Sequence, residues 1–287
     1  MPHAALIPPP HPHTHAHTHT SPSWYYDAGR IKSDFGRGGI TKYEAAVEHF
    51  PGSIMALSNT GGAGRGSNDG DIIGTVINHG KKKYWARGGN FHYHHGLRPG
   101  ENTLEAQLFR LVARELTASG GAVDVDALRG AYVEFMTTPG SHNDTYASTC
   151  HRMFFKNRAD GKPLDQCPDN DNHNVDTMDG LVMAIPAILA HAAAAAAAGG
   201  AAGGGAESCA ADTASAVRST IAVTRDSKQV GDYAQVLTRV LHEVLAARDG
   251  GDAGATLRAA LEGAALEHLN LDLRRAVTLS RGDPMTS

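Results

Sequence analysis

Five apolar residues, Leu104, Leu108, Leu111, Val112 and Leu116, recur at the spacing of one face of an α-helix. Nowhere does the chain set against them the strict alternation of a half-buried strand. Stripes of this kind have to be buried, and with no sheet to receive them helix must pack on helix. The expected class is therefore all-α. Asn102 and Glu105 stand at capping-box spacing ahead of the first stripe, and Gly120-Gly121 stops it. A second stripe, Val125, Leu128, Tyr132, Phe135 and Met136, ends at Pro139-Gly140. A third helix is expected to begin near Ser141 to Asp144 and to carry Tyr146, Cys150, Met153 and Phe154. A polar loop from Ala159 to Asn174 follows. Met178, Leu181, Val182, Ile185, Ile188 and Leu189 mark the fourth helix, which Pro186 kinks or restarts. Asp212 to Val223, Val230 to Ala247 and Ala255 to about Leu279 complete an orthogonal or irregular bundle of seven or so helices.

Composition then separates what folds from what need not. Of 287 residues 41% are hydrophobic and 33 are glycine, an apolar deficit and a glycine excess that fall largely in two biased tracts. Residues 1–23 hold six of the 17 histidines among Pro and Thr, and such a head has almost nothing to bury. The Ala/Gly tract from Ala192 to Ala206 reads as a low-complexity loop insertion. The remainder, 24–287, is expected to be one helical domain with a loop-rich segment from Trp24 to Arg98. Basic and acidic residues number 26 and 30, a net charge of -4, so neither nucleic acid nor an anionic membrane is the expected partner. No run of about 18 charge-free apolar residues is present to span a bilayer. Three cysteines, Cys150, Cys167 and Cys209, read as reduced thiols, and the head lacks a signal peptide's apolar stretch. The expected location is the cytoplasm.

Three polar clusters precede apolar helices. Glu101, Asn102 and Thr103 offer hard oxygen ligands suited to Mg2+ or Ca2+, although Asn102 is equally a good cap and Glu101 suits the helix dipole. In Ser141-His142-Asn143-Asp144-Thr145, capping accounts for most residues, whereas His142 beside Asp144 could orient a water or a substrate hydroxyl. Asn172 to Gly180 is the third cluster, and neighbouring helix starts can converge on one site. Other features point less far. Gly61 to Gly66 fits neither nucleotide-loop signature. Lys81-Lys82-Lys83-Tyr84-Trp85 reads as a solvated face. His92, His94 and His95 lack the helical pair and Glu of a zinc hydrolase, and no GxSxG elbow occurs.

As an ordered set, SWYYDAGRIKSDFG (Ser23 to Gly36), GENTLEAQLFRLVARELTASG (Gly100 to Gly120), SHNDTYASTCHRMFF (Ser141 to Phe155) and HNVDTMDGLVMAIPAILAHA (His173 to Ala192) resemble the ADP-ribosylglycohydrolase and J-crystallin family. The similarity covers about two thirds of the chain and is to a divergent branch, with GENT where typical members carry Asp-Asp-Thr. AVRSTIAVTRDS resembles the family's Thr-His segment, with Arg225 at the His position. The resemblance implies an all-α fold and Mg2+-dependent cleavage of an N- or O-glycosidic bond between ADP-ribose and a protein side chain or small molecule. It places Glu101, Asn102 and Thr103 among metal ligands, with Glu101 and Asp144 in the catalytic set. His142, Asn143, Asp176, Thr177, Asp179 and Gly180 would lie against the ADP-ribosyl group. The second metal cluster of the family has no counterpart near the C-terminus, and Asn102 removes one negative charge from the first. The alternative is accordingly a catalytically degenerate, crystallin-like binding or structural protein of the same fold.

Overall fold

A computed structural model describes residues 72–85, 89, 91–168, 175–197, 205–246 and 252–280, together with Lys32, Ser33, Gly36, Gly38 and Met55. The His/Pro/Thr head, the Gly61 to Gly66 run and Asn172 to Asn174 lie outside them. Among the described residues there are eight α-helices and no strand, so the fold is all-α. The helices are α1 (Leu104–Ala118), α2 (Val125–Thr137), α3 (Thr149–Ala159), α4 (Ala184–Ala197), α5 (Gly205–Ile221), α6 (Lys228–Ala246), α7 (Ala253–Leu269) and α8 (Leu273–Ser280). The α1 stripe is buried along its whole length, from Leu104 to Leu116. Each such leucine contributes about 1.5–3 kcal/mol relative to an exposed one.

Four expectations about helix bounds are corrected. The third helix begins at Thr149 rather than near Ser141 to Asp144, because the capping-type residues 141–145 are engaged elsewhere, as described below. Pro186 falls in the first turn of α4, where its missing N–H has no helical acceptor to lose, and it follows a short 3-10 helix, Met178–Met183. The Ala/Gly tract is helical at both ends: residues 192–197 continue α4, while Gly205 and Ala206 open α5. Alanine's helix propensity prevails there over low complexity. The last helix is divided at Asn270, whose left-handed backbone (φ 52°) ends α7.

The chain groups into two compact units, Met1–Gln107 with Val133–Cys167, and Leu108–Tyr132 with Pro168–Ser287. The first is loop-rich and aromatic. Trp85 is buried, stacks on Tyr146 with ring centroids 5.7 Å apart, and donates from Nε1 to the Thr145 carbonyl. The Arg152 guanidinium lies 4.9 Å from the centre of the Trp85 ring. The expected solvated face at Lys81–Lys83 is thus only partly so: Lys82 and Lys83 are exposed, while Trp85 is core. Gly74 is obligatory, with φ 91° and a Lys82 Cβ that a side chain would meet at 2.7 Å. The second unit is an all-helical assembly in which α6 packs most extensively on α7 and also meets α4 and α5. Val240 of α6 is buried with Ala260 and Ala264 of α7, whose small side chains let the two helices approach.

Candidate active site

Residues 141–148 have no regular structure, and their conformation is set by distant contacts. The Asn78 side-chain amide donates to the carbonyls of Asp144 and Thr145, and the Thr145 hydroxyl donates to the His95 carbonyl. Asn143 accepts from Lys81 Nζ at 2.7 Å and donates to the Gly96 carbonyl and to Glu101 Oε2. Two expectations for this stretch were capping and substrate contact. Capping does occur, but not of the following helix: Asp144 Oδ2 accepts the Leu104 N–H of α1 at 2.7 Å, forty positions away in the chain. Asp144 supplies the first-turn acceptor that a local cap would give.

The same carboxylate holds a histidine. His94 Nδ1 lies 2.9 and 3.2 Å from the two Asp144 oxygens, and the Tyr146 N–H adds a third donor to the carboxylate at 3.3 Å. Asp144 is 1% exposed and His94 23% exposed, so the group that reaches solvent is the imidazole. With Nδ1 committed to Asp144, Nε2 is the nitrogen left for proton transfer. Burial alone would push the His94 pKa down; the Asp144 charge, its hydrogen bond and the Glu105 charge outweigh it and hold it above the ordinary value. His92, two residues earlier, is the reverse case. It is buried, its Nδ1 accepts the His94 N–H at 3.1 Å, and burial followed by the neighbouring His94 charge lowers its pKa to about 4.

His142 does not join this pair. It stacks against Phe135, its Nδ1 is buried without a hydrogen-bond partner, and burial lowers its pKa. A second carboxylate–imidazole contact sits at the start of α1. Glu105, expected to close a capping box with Asn102, instead lies 3.4 Å from Nε2 of the fully buried His151 of α3. Thr103 is the local cap of α1, its hydroxyl accepting weakly from the Ala106 N–H at 3.5 Å. The sequence marks Glu105 only as a capping residue and His94 only as part of a histidine run, and it does not mark His151 as a site residue. The helical zinc motif is the wrong template for His94, which lies in a turn and whose partner, Asp144, is fifty positions on.

Glu101 Oε2 accepts from the Arg98 N–H at 2.9 Å and from Asn143, contacts that hold its pKa below the usual carboxylate range against the opposing effect of burial. Glu101 Oε2 and both Asp144 oxygens accept from N–H donors, and the Thr103 hydroxyl accepts from the Ala106 N–H. Among the described residues no three His, Cys, Asp or Glu side chains gather as a cation site.

The third cluster belongs to the second unit. There Arg225, 1% exposed, donates to both carboxylate oxygens of Asp179 (3.1 and 3.3 Å) and to the Thr177 hydroxyl and carbonyl. Thr177 in turn donates to Asp179, and Ser227 donates to Asp176 at 2.5 Å. Gly180 is where the guanidinium passes: an added Cβ would lie 2.9 Å from Arg225 Cζ. Thr177, Asp179 and Gly180 are therefore organised around Arg225, and Asp176 is held beside them by Ser227. No family model, curated protein or solved structure matches the chain.

Proposed function

We propose that this protein is a hydrolase that cleaves an ADP-ribosyl N- or O-glycosidic bond, with His94 as its proton-transfer group and Asp144 as the residue that positions it. The observation that carries the reading is the buried Asp144 carboxylate fixing one nitrogen of a half-exposed imidazole. Such a pair keeps the ring in one orientation and stabilises its charged form, so that it can protonate a departing group near neutral pH. The class of substrate rests on the ordered resemblance of the GENT, SHNDT and HNVDT segments, two of which meet at this pair through Leu104 and Asp144. No step is assigned to Mg2+. The buried cysteines Cys150 and Cys167 suit a reducing compartment, which favours the cytoplasm. No helix among the described residues is long and apolar enough to cross a membrane.

The test is release of ADP-ribose from an arginine- or serine-linked ADP-ribosyl peptide, assayed with Mg2+ and with EDTA. Turnover in both conditions that falls about 100-fold or more in His94→Ala is expected. Binding of ADP-ribose without turnover would overturn the hydrolase reading in favour of the crystallin-like binding protein, and turnover abolished by EDTA would overturn the metal-free route.

A further inference from the structure

Helix α7 carries its small residues inward and its large ones outward. Ala260 and Ala264 are buried against Val240 of α6, whereas Leu257 and Leu261, one turn apart, are 43% and 38% exposed. Burying alanines while leaving a leucine pair in water forgoes the larger hydrophobic gain, which marks a second apolar face on this helix. The two flanks of the α6–α7 seam differ. Arg239 closes one: it donates to Glu243 and Glu267 and lies 3.1 Å from where a Gly263 Cβ would stand. Leu257 and Leu261 lie beyond Ala260 and Ala264 on the other flank, where α6 adds Leu237, Leu241 and Val244 at the i, i+4, i+7 spacing of one face. Val244 is exposed, and Leu237 and Leu241 are half-buried. Helix α7 packs on α6 and more slightly on α8, which Arg274 ties to it at Glu262.

The charges beside this strip select its occupant. Arg258 and Glu262 of α7 border the leucines, opposite in sign and one turn, about 6 Å, apart. A lipid surface or a partner of one sign would match one of them and repel the other. A second copy of α7, antiparallel about a two-fold axis near Ala260, matches both, because it sets Arg258 opposite Glu262 of the partner subunit at two places. Two α6–α7 hairpins then close a four-helix bundle. A face about 25 Å long and about 20 Å wide, the length of α7 by the breadth of two helices, offers about 500 Å2 per copy. Twice that reaches the lower end of specific interfaces, about 1,000 Å2, so the expected dimer is reversible rather than permanent. We infer that this face of α6 and α7 is the interface of a symmetric homodimer, with Val244, Leu257 and Leu261 packed on the same residues of a second copy. The dimer does not depend on the hydrolase reading.

Sedimentation equilibrium on the full chain reads the association. A monomer–dimer equilibrium with a Kd of about 1–100 µM is expected. A chain that stays monomeric to several times that concentration would overturn the dimer and leave the face to a different protein. Leu261→Glu, a change at an exposed position, should weaken association by about 10-fold or more with an unchanged far-UV circular dichroism spectrum. A dimer of undiminished affinity in that variant would place the interface elsewhere and overturn the assignment. Charge reads the register. Arg258→Glu and Glu262→Arg each set like charges opposite one another and should weaken self-association by about 10-fold, whereas an equimolar mixture of the two variants restores both pairs and should dimerise as the wild type does. A mixture that associates no better than either variant alone would overturn the antiparallel packing. Misfolding cannot imitate the expected result, because recovery in the mixture requires two folded chains.

Discussion

The two units bury charge in opposite ways. In the first, an acid is taken out of water: Asp144, 1% exposed, faces a half-exposed histidine and two backbone N–H groups. In the second it is a base: Arg225, also 1% exposed, faces the half-exposed carboxylate of Asp179 and the oxygens of Thr177. The difference lies in what the accessible partner can do. His94 can gain or lose its proton near neutrality, whereas a guanidinium paired to a carboxylate keeps its charge at every ordinary pH. The first arrangement can take part in proton transfer. The second is a fastener, holding the 3-10 turn at Met178–Met183 to the segment after α5.

That contrast is broken most directly by neutralising each acid. Asp179→Asn leaves a fully buried cation without its counter-charge, and the expected cost is about 3–5 kcal/mol. Asp144→Asn should cost less, about 1–3 kcal/mol, since its oxygen can still accept from Leu104 and His94 can shed its proton. Urea unfolding of both variants gives the comparison. Equal losses, or a larger one for Asp144→Asn, would show that Arg225 is not the costlier of the two buried charges.

Within the first unit the contrast can be sharpened by pH. His92 has a folded pKa of about 4, lowered from 6.5, so its neutral form is favoured by folding. Its contribution is present above pH 6.5 and is lost as pH falls from there through 4; a shift of this size corresponds to about 3 kcal/mol. His94 runs the other way. Its raised pKa gives stability that is fully present below pH 6.5 and lost as pH rises through the folded value. Chemical denaturation between pH 4 and 7 should therefore show a fall in stability toward acid that is flattened in His92→Gln. A wild-type slope retained by the variant would contradict the burial of a neutral imidazole at this position.

How much of this was legible in the sequence depended on the range of the interaction. The stripes of α1 and α2 are periodic because burial acts on every turn of a helix, and they were placed correctly. Residues 141–145 misled about the start of α3 for a definite reason. Ser, Asn, Asp and Thr announce a cap, but nothing local says which N–H they will cap, and Asp144 serves α1. The same holds for Glu105, whose capping-box spacing was a sound local signal overtaken by a contact with His151. His94 and Arg225 were recognisable as residue types, yet their roles come from partners about fifty positions away. The clusters at Glu101 to Thr103 and at Asp176 to Gly180 were found as polar concentrations; which atoms are already engaged, and by what, required coordinates.

The fastener can also be probed sterically. Gly180→Ala would place a methyl group 2.9 Å from Arg225 Nε and Cζ and 3.0 Å from Cδ. Those atoms are not the free end of a mobile chain, because the guanidinium is held by Asp179 and Thr177. A loss of about 1–3 kcal/mol in thermal or urea unfolding is expected, as for other overpacked sites. The paired variant Gly180→Ala with Arg225→Lys should recover part of it, since a slimmer cation leaves room for the methyl group. A neutral single substitution would mean that the guanidinium moves aside at no cost, and the second unit would then lack the rigidity that distinguishes it from the first.

The smallest effect is expected at Glu101, and it tests what lies beside the Asp144–His94 pair. Glu101 is not deeply buried, and its partners are the Arg98 backbone, the Arg98 guanidinium at 3.6 Å and the Asn143 amide. Glu101→Gln keeps an oxygen for one of the N–H donors and removes only a screened ion pair, so stability should change by less than about 1 kcal/mol. If Glu101 helped to hold a divalent cation, the same substitution would weaken Mg2+ binding by an order of magnitude or more, since one carboxylate ligand would become a neutral amide. Calorimetric addition of Mg2+ to the wild type and to Glu101→Gln is expected to give the same heat in both, because this carboxylate is already committed to N–H donors. A heat of binding present in the wild type and lost in the variant would show that Glu101 lets go of Arg98 and Asn143 for a cation, and the first unit would then hold a metal as well as a proton-transfer pair.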